Sequence, residues 1–149
     1  MITLPDLRQT ADHDCGPCAV RIALRALRKR PKFDLYAALG TSPIDGTDPR
    51  SIESYLRFLG LWVWSGTGSL DDLRHATASR PAICLVTRAQ VGHYVVVSGL
   101  LEGRVHYQCP SEGPVRMGTR TWLRAWRDVD RLGAHYHQWM IVPGKPPKA

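Results

Sequence analysis

The sequence has no long hydrophobic run. No stretch of about 18 apolar residues, the length that a membrane helix needs, occurs in its 149 residues. Its N-terminal segment, MITLPDLRQT, carries neither the basic region nor the apolar region of a secretory signal peptide. Internal repeats and low-complexity tracts are absent as well. These absences predict a cytoplasmic protein without a membrane segment, whose thiols stay reduced.

Cysteine is scarce, with 4 residues in the chain, and a chain of this length does not need disulfides. A folded domain of this size buries roughly two thirds of the surface that its unfolded chain exposes, which is enough to build an apolar core. The sequence therefore predicts one domain over residues 1–143, followed by a disordered tail at 144–149.

Lysine is also scarce, because 16 of the 20 basic residues are arginines, spread along the chain instead of massed in a tail. The net charge of +7 therefore does not indicate a nucleic-acid partner. In the densest basic run, Arg21, Arg25 and Arg28 fall at i, i+4 and i+7. That spacing predicts the solvated stripe of a helix whose other positions are apolar.

The first half of the chain has the sequence patterns of helices. Asp48 can cap free amides, Pro49 suits the first helical position, and Gly60 is typical of a helix end. Ser69 and Asp72 have the spacing of a capping box. The predicted helices cover residues 15–29, 33–39, 49–59 and 70–78.

After Pro81 the helical patterns give way to short apolar runs that are typical of sheet interiors. A further helix is predicted around Trp122 and Trp126. Helices first and strands second predict an α+β fold with an antiparallel sheet. The predicted strands cover residues 82–86, 94–97, 104–109 and 136–142.

Cys15 stands at the start of the first predicted helix, where unpaired amides and the helix dipole stabilise a thiolate. A nucleophilic thiol needs a base. Among the 6 histidines, His93 is the best candidate because it stands at the mouth of the most apolar strand, which would hold the ring rigidly and shield it from water. Gln9, just ahead of the helix, is placed to donate its amide to an oxyanion together with the Cys15 N–H.

These motifs resemble the C-39 family of bacteriocin-processing, papain-like cysteine peptidases. The segment QTADHDCGPCA at residues 9–19 is similar to the family signature Q-x4-D-C-G-x-A. Residues 40–60 resemble its Gly-Thr turn and the helix that follows, and GHYVVV at 92–97 resembles its histidine strand.

The resemblance implies a papain-like fold, with N-terminal helices packed on a C-terminal antiparallel sheet, and hydrolysis of peptide bonds. It implies Cys15 as nucleophile, His93 as general base and acid, and Gln9 as oxyanion donor, with no cofactor. The implied partner is a peptide or protein substrate, including leader peptides. Relatives fused to export ATPases cut after a Gly-Gly leader, but this chain shows no transmembrane or nucleotide-binding region, so that specificity does not transfer by default.

One position departs from the family pattern. The family has an Asp-Pro pair sixteen residues after the histidine, with the Asp orienting the imidazole, whereas this chain has Cys109 and Pro110 there. A neutral thiol does not supply the fixed negative charge that stabilises an imidazolium. Ser111 and Glu112 lie close enough in sequence to take over that role.

The register of one hairpin decides where Cys109 lies. A two-residue loop, Glu102 and Gly103, would pair odd positions with even positions and put Cys109 on the face opposite His93. A three-residue loop at residues 101–103 would pair odd positions with odd positions, and it is favoured because a glycine in third place suits the left-handed conformation which that loop requires. We therefore predict that Cys109 lies beside Val95, on the same face of the sheet as His93.

Two other hypotheses stay open. The Cys109 substitution is consistent with a catalytically weakened, peptidase-like domain that binds a peptide or a partner protein. Cys15 and Cys18 also form a CxxC at a helix start, which is typical of thiol–disulfide exchange, although the βαβ unit that precedes such motifs in thioredoxins is missing. No metal site is predicted, because no second CxxC or histidine pair has a usual zinc spacing.

Overall fold

The computed structural model describes residues 1–88, 91–129 and 135–145. Helices and an antiparallel sheet build the fold, which confirms the predicted α+β class. None of the described helices is both long and apolar enough to cross a bilayer. The helices are α1 (Cys15–Ala26), α2 (Leu35–Ala38), α3 (Pro49–Phe58), α4 (Leu70–Thr77) and α5 (Thr119–Ala125). The strands are β1 (Trp62–Thr67), β2 (Ala82–Arg88), β3 (Val91–Leu101), β4 (Arg104–Cys109), β5 (Gly113–Gly118), β6 (Arg127–Val129), β7 (His135–His137) and β8 (Trp139–Gly144).

Six strands form one sheet in the order β1-β8-β2-β3-β4-β5, and β6 pairs with β7 in a separate ribbon. Alternate residues of β3 enter different cores, because successive side chains of a strand point to opposite faces. Tyr94 and Val96 pack with α1 and α3, whereas Val95 and Val97 pack with residues of α4 and α5. The central strand β3 is therefore buried from both sides.

Local capping fixes the starts of α3 and α4. The Asp48 side chain accepts a hydrogen bond from the Arg50 N–H at 2.8 Å, and Gly60 ends the segment with a φ of 86°. Ser69 and Asp72 form the predicted capping box at the start of α4. These predicted boundaries are confirmed.

Three predicted boundaries are wrong. Helix α2 begins at Leu35 instead of residue 33, because Phe33 adopts a φ of 66° and the Asp34 side chain caps the helix by accepting from the Tyr36 N–H. Helix α1 ends at Ala26 instead of residue 29, because Arg28 adopts a φ of 55° and the Lys29 N–H turns back to the Leu24 carbonyl at 2.9 Å. The predicted tail begins too early, because Gly144 is a buried residue of β8 that pairs with β1. Residues 146–149 lie outside the described part of the chain.

The turn between β3 and β4 also differs from the prediction. Leu101 pairs with Arg104, so the loop contains only Glu102 and Gly103. Both loop residues have positive φ angles, 54° and 72°, as a type I′ turn requires. The predicted three-residue loop is therefore wrong, and the turn alone would pair odd positions with even positions.

A bulge between Val97 and Gly99 then restores the predicted register. Between the turn and the bulge, odd positions face even positions. Beyond the bulge, Val97 pairs with Tyr107, so odd positions face odd positions, as predicted. Continued toward the end of β4, this pairing brings Cys109 to the face of the sheet that carries His93. The predicted placement of Cys109 is right, but a bulge and not the turn produces it.

Candidate active site

Cys15 is the first residue of α1 and is half-buried. No side chain of the described residues caps this helix start. The preceding Asp14 uses its carboxylate to accept a hydrogen bond from the Thr10 hydroxyl at 2.8 Å. The first-turn amides next to the thiol are therefore not engaged by a capping side chain, which suits a site where negative charge develops.

Gly16 allows the helix start to approach the loop before α3 closely. A Cβ atom at this position would lie 2.3 Å from the Thr47 hydroxyl oxygen. That hydroxyl hydrogen-bonds with Thr41 at 2.6 Å, and the Thr47 carbonyl accepts from the Tyr94 hydroxyl at 2.7 Å. Since Tyr94 follows His93 in β3, Thr47 links the start of α1 to the strand that carries the histidine.

We expect Gly16→Ala to push α1 away from Thr47, with a loss of stability of about 1–3 kcal/mol and slower labelling of Cys15 by thiol reagents. Thermal unfolding and labelling kinetics measure the two effects. Gly118→Ala is the matched control, because a Cβ there meets nothing within 4 Å. Equal labelling of Cys15 in both variants would show that the close approach does not position the thiol.

His93, near the start of β3, lies between two sulfur atoms. Its Nε2 atom is 3.2 Å from the Cys109 sulfur, and Cys15 is the other thiol close enough to shift the pKa of the ring. With Nε2 engaged by Cys109, Nδ1 is the nitrogen that remains for Cys15. Burial lowers the pKa of His93, but the hydrogen bonds to Cys109 and Cys15 outweigh burial and raise the pKa from 6.5 to about 9.

Cys109 is fully buried, and hydrogen-bond donors surround its sulfur. Burial raises the pKa of this thiol, yet the hydrogen bonds from His93, from the Ser111 hydroxyl and from the backbone N–H groups of Ser111 and Glu112 lower it from 9.0 to about 6. The surroundings therefore favour a thiolate, contrary to the expectation of a neutral thiol at the orienting position.

The sequence did not reveal Arg88, which ends β2 and takes part in the site. Its Nη1 atom lies 3.4 Å from the Cys109 sulfur, and its Nη2 atom pairs with the Glu112 carboxylate. Ser111 lies 3.2 Å from the same sulfur. Ser111 thus contacts Cys109, and Glu112 contacts Arg88. The group beside the His93 ring is the Cys109 sulfur, and neither Ser111 nor Glu112 replaces it there.

Gln9 lies beside the turn that follows Cys109. Its backbone N–H donates to the Pro110 carbonyl at 2.9 Å, and its side-chain amide donates to the Ala11 carbonyl at 2.7 Å. A primary amide has two N–H groups, so one donor remains beyond the bond to Ala11. The structure ties the segment before α1 to the Cys109 turn.

Two other candidate groups have different surroundings. His13 packs edge-on against Tyr36, with ring centroids 5.5 Å apart, and its Nε2 lies 3.7 Å from an Asp14 oxygen. The Cys18 thiol is buried and donates to the Leu7 carbonyl at 3.5 Å. Burial raises the pKa of Cys18 to about 11, which disfavours its use as the second thiol of a redox pair.

A thiol at a helix start, beside an imidazole on a sheet, is the arrangement of cysteine peptidases. The chain belongs to the peptidase C39 family, whose family model matches residues 4–130. The family resemblance of the sequence is thereby confirmed. No curated protein matches the chain.

Solved structures of the same fold include peptidase domains of transporters. A double glycine motif protease from an AMS/PCAT transporter, in complex with the leader peptide, has a TM-score of 0.77 and 16% identity, covering 97% of this chain and 94% of its own. The peptidase domain of Streptococcus ComA, a bifunctional ABC transporter involved in quorum sensing, has a TM-score of 0.73 and 19% identity, covering 98% and 100%. The Streptococcus mutans ComA peptidase domain has a TM-score of 0.61 and 20% identity, covering 93% and 97%. These similarities show the fold.

Proposed function

We propose that this protein is an active, papain-like cysteine peptidase with Cys15 as the nucleophile and His93 as the general base and acid. The observation that carries the proposal is the position of the His93 ring, whose Nε2 atom lies 3.2 Å from the Cys109 sulfur and whose pKa is raised by both Cys109 and Cys15. An imidazole fixed on both sides meets the geometric requirement of a base that serves a fixed nucleophile.

In the proposed reaction the Cys15 sulfur attacks the carbonyl carbon of a peptide bond, while the thiol proton resides on His93. The oxyanion of the tetrahedral intermediate accepts hydrogen bonds from the Cys15 N–H and from the Gln9 amide. His93 then gives its proton to the leaving amine, and a thioester remains on Cys15. His93 next takes a proton from water, whose oxygen attacks the thioester and releases the carboxylic acid product and the free thiol.

The proposed substrate is a peptide or a protein segment in the cytoplasm. A structure of the same fold holds a leader peptide, as stated for that transporter protease, and this supports an extended peptide as the substrate class. The half-buried Cys15 is reachable at the start of α1, whereas Cys18, Cys84 and Cys109 are no more than 3% exposed. The accessible thiol is thus the proposed nucleophile.

A cleavage profile on a peptide library, together with an electrophilic peptide probe, tests this proposal. We expect cleavage products that require Cys15 and a covalent adduct on Cys15 in the intact protein. An adduct on Cys15 without any cleavage would mean that the protein is a peptide-binding domain and not an active peptidase. A first adduct on Cys84 or Cys109 would overturn the mechanism.

We expect Gln9→Ala to lower kcat by roughly 10²–10³-fold, the usual cost of removing one oxyanion donor, with little change in KM. The reason is that an oxyanion contact acts on the transition state and not on the bound substrate. Steady-state kinetics on a cleaved peptide measures the effect. Gln138→Ala, which removes another half-buried glutamine bonded to the Gly68 carbonyl, is the control. A Gln9 variant with unchanged kcat would remove Gln9 from the oxyanion site.

A further inference from the structure

We propose that Cys109 acts as an anionic orienting group for His93, and that Arg88 is a positioning residue that holds the Cys109 sulfur as a thiolate. The inference deepens the proposed peptidase function, on which it rests for its catalytic consequences. The protonation state of the buried Cys109 sulfur can be measured without any peptide cleavage, so this part of the inference is independent of turnover.

The geometry around the sulfur indicates an anion. Three side-chain groups lie within hydrogen-bond distance of it: His93 Nε2 and Ser111 Oγ at 3.2 Å, and Arg88 Nη1 at 3.4 Å. A neutral thiol is a weak acceptor that must also place its own hydrogen, whereas a thiolate accepts several charge-assisted bonds. A fully buried sulfur with this many donors therefore fits a thiolate best.

Arg88 contributes a charge that does not titrate near neutral pH. Its guanidinium contacts the sulfur with one arm and the Glu112 carboxylate with the other, so Glu112 fixes the orientation of the side chain. The hydrogen bond to Glu112 is the largest cause that raises the pKa of Arg88. Arg88 is therefore suited to stabilise the thiolate even when His93 passes its proton to a leaving group.

Several titratable groups face the Cys109 sulfur and contribute to the pH dependence of its ionisation. Burial and the nearby Cys109 charge raise the pKa of Tyr107 to about 12, so Tyr107 stays neutral. The remaining neighbours come from the N-terminal segment, α1, β2, β3 and the turn after β4. They are Arg8, Cys18, Arg88, His93 and Glu112.

A thiolate at this position performs the task of the family's Asp by different chemistry. It fixes the Nε2 side of the ring and stabilises the imidazolium, so that the opposite nitrogen meets Cys15. Unlike a carboxylate, it is lost near pH 6, where the pKa of Cys109 lies. A peptidase that depends on it should therefore lose kcat/KM as the pH falls through about 6, and again as His93 deprotonates above about 9.

The direct test is a pH titration of the ultraviolet absorbance of thiolate in Cys15→Ala protein. Burial raises the pKa values of Cys18 and Cys84, so these two thiols stay silent near neutral pH. We expect one thiolate to appear as the pH rises through about 6, and to be missing from the Cys15→Ala/Cys109→Ser double variant. A Cys109 that remains neutral up to pH 8 would overturn the proposal.

Arg88→Gln tests the positioning role in the same Cys15→Ala background. We expect the midpoint of the thiolate signal to rise by about one pH unit, since a neighbouring positive charge favours the charged form of a thiol. The exposed Arg116→Gln is the matched control with the same change in net charge. Equal midpoints in the two variants would remove Arg88 from the role.

Activity measurements connect the thiolate to catalysis. In protein with Cys15 intact, Arg88→Gln should move the acid limb of kcat/KM upward by about the same amount as the thiolate midpoint. Cys109→Asp should keep the fold and sustain activity below pH 6, because a carboxylate stays ionised there. If the thiolate titrates as expected but no variant cleaves any peptide, the proposed function fails and the thiolate assignment stands. If cleavage is robust in Cys109→Ser, the orienting role fails and the peptidase stands.

Discussion

Cys15→Ala should abolish peptide cleavage and leave the fold intact. The variant removes the only thiol of the described residues that is not buried, and this thiol is one of the two that raise the pKa of His93. Removing a catalytic nucleophile costs on the order of 10⁶ in kcat in a well-studied serine peptidase, so we expect a rate at the detection limit. A half-buried sulfur at a helix start makes little packing, so the thermal unfolding midpoint should change little.

Cys18→Ala is the matched control for this variant, because Cys18 lies one helical turn further along α1. It should lose stability, since a buried sulfur is removed from the core, but it should keep cleavage and the Cys15 adduct. Intact-mass measurement after probe treatment, steady-state kinetics and thermal unfolding separate these outcomes. Cleavage that persists in Cys15→Ala but is lost in Cys18→Ala would show that Cys18, and not Cys15, is the nucleophile.

The helices of this fold could be predicted because their start and stop signals are local. Asp48 and Ser69 accept bonds from amides two or three residues away, so the capping geometry is written in adjacent residues. The same holds for the resemblance around Cys15 and His93, since each motif lies within one short segment. Local signals therefore gave the helix order and the two central site residues.

The edge strands could not be predicted, because their sequences do not show a buried face. Strand β1 exposes Trp62 and Trp64, at 57% and 49%, and contains Gly66. Strand β5 contains Pro114, which is tolerated only where a strand has a free edge. Their places follow from pairing with β8 and β4, which is information that neither segment carries alone.

The hairpin and Arg88 show the same limit within the site. Glu102, a non-glycine residue at positive φ, makes the two-residue turn hard to foresee, and the compensating bulge near Val97 depends on packing across the sheet. Arg88 reaches Cys109 across 21 residues of sequence. Only the pairing of β2, β3 and β4 brings that guanidinium to the sulfur, so the residues that support the orienting group emerge only in three dimensions.

His93→Ala should lower kcat/KM by about 10²–10⁴-fold or more, because the base that accepts the Cys15 proton and protonates the leaving amine is removed. Peptide binding should survive, since the backbone of β3 and the start of α1 remain. Kinetics on a cleaved peptide and equilibrium binding of the same peptide to an uncleavable variant measure the two quantities. His13→Ala is the control, because that ring lies two residues from Cys15 but packs against Tyr36. Loss of cleavage in His13→Ala with retention in His93→Ala would reverse the assignment.

Variants of His93 and Cys109, alone and combined, test whether the sulfur acts only through the imidazole. If Cys109 acts only through the imidazole, removing the sulfur should have no additional effect once the imidazole is gone. We therefore expect Cys109→Ser to slow the parent enzyme strongly and to leave the residual rate of His93→Ala nearly unchanged. His93→Ala should also raise the midpoint of the thiolate titration, because the hydrogen bond from the imidazole lowers the pKa of Cys109 more than any other hydrogen bond does. Additive effects in the double variant would mean that the sulfur contacts the reacting groups by a route other than the histidine.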